Sequence, residues 1–266
     1  MPAIHPPRLK IQASELVQSA SDPESFCRSY HEFLDLYADR TYRPGKVGEP
    51  PPLLRAYQVP KPVSRAVEKE LGVWAESYRG DAIKFADAMW LQPILEFLLT
   101  AASLIGRVDP MPVKTIFNRV EAWIQPNTEE RLVNALINRG LERILIEKQV
   151  LYVDQVDKWL RSRNVERNRL GLKACLPLME RREFEDYPLL FKRLNSLMRS
   201  PKGLLRNEIL SVLEEMAVKA PEETAFFLEK SLKSAGDNEQ IAWYVRKSLN
   251  RFPTESRSIL RQVLVG

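Results

Sequence analysis

The residue types most able to do chemistry in this chain are arginines, and they recur. Arg169 opens RLGLKACLPLM, Arg206 opens RNEILSVLEEMA and Arg246 opens RKSLNRF, at spacings of 37 and 40 residues. A guanidinium is permanently charged and carries a rigid fork of donors that matches a phosphate. A row of them is suited to gripping a polyanion rather than to breaking a bond. The densest stretch is KWLRSRNVERNR (158–169), whose only acid is Glu166. Its Lys158, Arg161, Arg163, Arg167 and Arg169 straddle an expected loop at 162–164 and the start of the next helix, where unpaired backbone N–H groups also favour phosphate. Lys202 and Arg206 recur one unit later, and Arg246 with Lys247 one unit after that. These are candidate contacts to a nucleic-acid backbone. The competing reading is a solvated face whose arginines bridge adjacent helices to acids such as Glu208.

Other chemistry has little to work with. The chain has two histidines, His5 and His31, and two widely spaced cysteines, Cys27 and Cys175. That leaves no thiolate zinc site, no histidine-ligated metal and no Ser-His-Asp triad to assemble. There is no phosphate-loop or dinucleotide-binding glycine motif and no HExxH, so no cofactor and no metal are expected. Glu96 lies in the apolar run ILEFLLTAASLIG. It reads either as a buried acid or base with a raised pKa, or as a first-turn glutamate favoured by the helix dipole and bonded to neighbouring backbone or an arginine. Of the five tryptophans, most belong in the core. Trp123 and Trp159, each closing a helix near the basic stretch, are the candidates for stacking on a base.

These residues must be positioned by helices. Leu205, Ile209, Val212, Leu213 and Met216 follow one buried helical face, and prolines at 23, 93, 110, 112 and 221 mark helix starts. No stretch alternates with period two. The 266 residues, 44% hydrophobic and 28% charged with a formal charge of +5, suit a helical, basic protein. A period near 40 with two helices per unit predicts an all-α fold, a HEAT-like or armadillo-like α-solenoid with a basic concave surface. Residues 41–62, rich in proline and glycine, are expected to connect an N-terminal helical pair (about 12–39) to the main array (about 62–265), with organisation 1–55 followed by 56–266. The N-terminus lacks an apolar signal segment, and Leu91–Gly106 is too short and too polar to span a bilayer. A cytoplasmic monomer without a membrane partner is expected.

Several segments, in order over about 55–266, resemble the DNA alkylation repair proteins built from HEAT-like repeats, the AlkD-type alkylpurine DNA glycosylases. They are YQVPKPVSRAVEKEL (57–71), AIKFADAMWLQPILEFLLTAASLIG (82–106), VEAWIQPNTEERLVNALI (120–137), VDKWLRSRNVERNRLGL (156–172) and WYVRKSLNRFP (243–253). The resemblance implies duplex or damaged DNA as partner, held on the concave face. It also implies a site in which an aspartate between two tryptophans stabilises the cationic sugar formed as an alkylated base departs, with no metal. In this chain Asn134 stands where the aspartate belongs, Glu130 at the first tryptophan and Glu166 at the second, while Arg169 matches a family arginine. Asparagine carries no charge, and loss of both rings removes cation–π contacts. The resemblance therefore implies DNA binding with weak, altered or absent base excision. An active glycosylase using Glu130 or Glu166 as the anion is the first alternative, and a protein-interaction scaffold the second.

Overall fold

The computed structural model describes residues 4–19, 22–41, 54–126, 128–199, 203–235 and 239–265. Among these there is no strand, only one isolated bridge between Arg55 and Ile94, and the protein is helical throughout. The chain divides into two compact units, residues 1–148 and 149–266.

The first unit contains α1 (Pro6–Gln18), α2 (Pro23–Tyr37), α3 (Lys61–Ser77), α4 (Arg79–Trp90), α5 (Leu95–Ile105), α6 (Val113–Trp123), α7 (Glu130–Ala135), a π-helical turn (Leu136–Gly140) and α8 (Glu142–Glu147). Helix α1 begins earlier than the expected pair at 12–39. Pro6 and Pro7 occupy its first turn, where a missing N–H costs nothing. Asp22 caps α2 by accepting a hydrogen bond from the Ser25 N–H. Packing follows an alternating rule: α1 on α3, α3 on α5, α5 on α7, and α2 on α4. The N-terminal pair is thus built into this unit. Its core holds an aromatic group of Phe26, Tyr30, Phe85 and Phe97, with the Tyr30 hydroxyl 2.9 Å from that of Thr100.

The second unit contains α9 (Gln149–Leu160), α10 (Val165–Met179), α11 (Tyr187–Met198), α12 (Arg206–Lys219), α13 (Pro221–Ala235), α14 (Glu239–Ser248) and α15 (Thr254–Val265). Here α10, α12 and α14 pack in one row and α9, α11, α13 and α15 in another, with neighbours in the chain joining the rows. The same rhythm shows in side-chain bonds within each unit. Arg119 to Asp87, Arg143 to the Arg107 carbonyl, Arg193 to Asp157, Arg169 to Glu208 and Arg199 to Ser234 all join residues 32–39 apart.

No helix among the described residues is long and apolar enough to cross a membrane. Both cysteines are free and buried. Burial pushes the Cys175 thiol up to about 12 and, with help from Glu24, the Cys27 thiol up to about 11. Neither is a ready nucleophile or ligand.

Candidate nucleic-acid interface

In the second unit the basic stretch forms the turn between α9 and α10, and two asparagines fix it. The Asn164 side chain accepts from the Glu166 and Arg167 N–H groups and caps α10. The buried Asn168 amide donates to the carbonyls of Trp159, Leu160 and Ser162, closing the end of α9. Sequence reasoning found the arginines here and missed Asn168. Its only signal is a polar residue on an otherwise apolar helix face, one turn after a good cap. On this turn Arg161, Arg163 and Arg167 are exposed. Asp157 is shared between Arg161, at 3.0 Å, and Arg193, so one carboxylate serves two guanidinium groups and a positive surplus remains.

The recurring arginines take two structural roles. Arg169 on α10 reaches forward to Glu208 on α12 at 2.8 Å, half-buried. Arg206, first residue of α12, lies over the Trp243 ring of α14 at 4.2 Å. Each thus brackets its helix to the next in the row, as the bridging reading expected for Arg169. Arg246 departs from the pattern. It falls with Lys247 in the last turn of α14 rather than at a helix start, because α14 begins at Glu239 and its early turns hold Trp243. There the two cations meet the negative end of the helix. Arg163, Arg246 and Lys247 are exposed with no ion-pair partner among the described residues. Lys202 lies outside the described residues. Trp159 is 1% exposed and packs in the core, which corrects its assignment as a stacking surface; the ring closing α9 points inward because α10 packs along that helix.

In the first unit the site positions gather on α7. Glu130 opens this six-residue helix and Asn134 follows one turn later on the same exposed face. The helix runs straight into the π turn Leu136–Gly140, an irregularity that often marks functional sites. Gly106, just beyond α5, permits the contact: a Cβ there would collide with the Arg139 carbonyl. Glu166 is the second residue of α10, half-buried, in the second unit. Both glutamates therefore sit in the first turn of a helix, where the dipole stabilises a carboxylate without any catalytic duty.

Glu96 is 7% exposed, and its oxygens accept from the N–H groups of Tyr57 at 3.1 Å and Gln58 at 2.8 Å. This is the backbone-bonded reading, not the general acid. The bonds hold Gln58 in the left-handed region at φ 56°, and the Leu95 N–H adds a bond to the Arg55 carbonyl. Residues 54–60 are thereby fastened to the start of α5; residues 42–53 of the proline-rich connection lie outside the described residues. Trp123 is half-buried and stacks on Trp90, with ring centroids 4.4 Å apart and planes 7° from parallel.

Comparison with curated proteins finds no match. A family profile described as DNA alkylation repair enzyme matches residues 54–251. That span takes in α3 through α14, with the α7 positions, the α9–α10 turn and the forward-reaching arginines all inside it. The chain belongs to the DNA alkylation repair enzyme family.

Proposed function

We propose that the protein binds duplex or damaged DNA through the phosphate backbone, and that its base-excision site is altered so that alkylpurine glycosylase activity is weak, changed or absent. The α9–α10 turn carries this reading. Exposed Arg161, Arg163 and Arg167 stand at a turn and helix start locked by Asn164 and Asn168, where Asp157 is shared between Arg161 and Arg193. Arg206, Arg246 and Lys247 extend the positive surface along α12 and α14. The alternating helix packing and the bonds at 32–39-residue spacing support HEAT-like or armadillo-like repeats as the scaffold. At the resemblance's excision position, exposed Asn134 offers no charge to a developing sugar cation.

The test is DNA binding by fluorescence anisotropy across a salt series. Binding should weaken steeply with salt. Arg163→Glu combined with Arg246→Glu, neither of which breaks an internal ion pair, should weaken it at least tenfold and lower the salt slope by about 2. No binding by the unmutated protein at low salt sinks the proposal and favours the protein-interaction scaffold. Release of a methylated purine from alkylated duplex DNA, abolished by Glu130→Gln or Glu166→Gln, would instead establish the active glycosylase.

A further inference from the structure

In the first unit a cavity of about 240 Å³ is lined by α3, the start of α5, α7 and the π turn. Helix α3 contributes Lys61, Ser64, Arg65 and Glu68, which stand at i, i+3, i+4 and i+7 on a single helical face. Arg131, second residue of α7, and Arg139 of the π turn also line it. Four cations thus share the cavity with two acids, Glu68 and Glu96. Both acids are already engaged. Glu68 holds Arg139 at 2.8 Å, and Glu96 gives its two oxygens to the Tyr57 and Gln58 N–H groups. Lys61, Arg65 and Arg131 have no ion-pair partner among the described residues. Helix α3 begins at Lys61 without a side-chain cap, so the positive end of its dipole adds to the same sign.

Three uncompensated positive charges around one small cavity repel one another, and an anion relieves them. Leu95 and Leu99 form an apolar wall beside them, against which charge attraction is stronger than in open water. Two guanidinium forks reach the cavity from different helices, and an ammonium joins one of them. A carboxylate has one charge and one plane of oxygens, and satisfies a single fork. A phosphodiester also has one charge, and its chain must leave on two sides. A phosphomonoester carries nearly two charges and presents three strong acceptor oxygens, one for each unpaired cation.

We infer that this cavity binds a phosphomonoester dianion, held by the Arg65 and Arg131 forks and by Lys61 as a point charge. The Ser64 hydroxyl is a further donor on the same face. The site uses neither Asn134, Glu130 nor Glu166, and none of the exposed arginines of the second unit. It reads a terminal phosphate as distinct from the phosphates within a strand. Two sources supply that chemistry, a small free phosphate ester and the phosphorylated end of a nucleic-acid strand.

The experiment titrates the full chain with methyl phosphate and with dimethyl phosphate by calorimetry. Ionic strength is held constant and the pH is about 8, above the second phosphate ionisation at about 6. Methyl phosphate should bind at least about tenfold more tightly than dimethyl phosphate. Arg65→Gln combined with Arg131→Gln breaks no ion pair, and should erase the preference while leaving the melting temperature within a few degrees. Equal binding of the two esters, binding of neither, or a preference that survives the double variant overturns the inference. Competition by a short DNA duplex then separates the sources. Displacement of methyl phosphate by a duplex with 5′-phosphates, and not by the same duplex with 5′-hydroxyls, assigns the cavity to strand ends. Displacement by neither assigns it to a free ester. Equal displacement by both means that ordinary backbone phosphates fill the cavity, and also overturns the inference. Methyl phosphate binding does not need Arg163 or Arg246, so failure here and failure of the DNA-binding proposal are read separately.

Discussion

In the second unit, stabilising contacts repeat. Arg169 holds Glu208, Arg206 covers Trp243, and Arg193 and Arg161 share Asp157. The work is spread over similar, partly exposed brackets, and exposed guanidinium groups remain for a partner. The first unit has brackets of this kind too, Arg119 on Asp87 and Arg143 on the Arg107 carbonyl, but beside them stand a few unrepeated points. Glu96 holds a left-handed Gln58, Gly106 lets the π turn approach, and Glu129 is left with an oxygen unsatisfied. Repetition makes a surface that tolerates single losses. Irregularity makes a place where one residue decides the local structure.

The comparison is tested most severely by Glu96→Ala. It leaves the N–H groups of Tyr57 and Gln58 without acceptors and loosens Leu54 from the apolar cluster of Leu95, Leu98 and Leu132. The cost should be about 3 kcal/mol in urea unfolding. A loss below about 1 kcal/mol would mean that this point is no more decisive than a bracket. The brackets themselves should be weaker. Arg169→Ala strands the largely buried Glu208 carboxylate and should cost about 1–2 kcal/mol. Arg206→Ala gives up a cation–π contact at an exposed residue, about 0.5 kcal/mol. The two have different partners, so the double variant should be additive within about 0.5 kcal/mol. Strong coupling would show that the row acts as one network and not as separate links.

Much of this was legible in the sequence, and for a reason. Helices, their proline-marked starts and the spacing of the arginines are periodic properties, and a period survives errors of a residue or two. The family resemblance rests on the same kind of order and holds over most of the chain. What failed was local. Arg246 was misplaced because the start of α14 depends on the residues before it, not on the arginine. Trp159 was misread because a tryptophan closing a helix faces inward or outward according to the helix that packs on it. Glu96 was resolved only by its two backbone donors, which lie 38 and 39 residues away in sequence. The left-handed Gln58 and the π turn left no mark in composition at all, since both are imposed by tertiary contacts.

One more bracket of the first unit behaves in the opposite way. Arg139 reaches Glu68 at 2.8 Å, yet burial raises the Glu68 pKa above its usual range, with Arg139, then Arg107 and Arg65, pulling it only partly back. Desolvation outweighs pairing. A carboxyl whose folded pKa is raised binds its proton more tightly in the folded state. Its contribution to stability is therefore full below the unfolded value, near 4.3, and is lost as pH rises through the folded value. Glu68→Gln keeps an acceptor for Arg139 and removes the titration. The stability of this variant relative to the unmutated protein should then climb as pH rises from the unfolded carboxylate value through the raised folded one, and level off above it. The effect is the smallest of the set, at the edge of what urea midpoints resolve. A difference that stays flat with pH, or falls, would show that Arg139 fully compensates the buried charge, and the contrast between the two kinds of bracket would disappear.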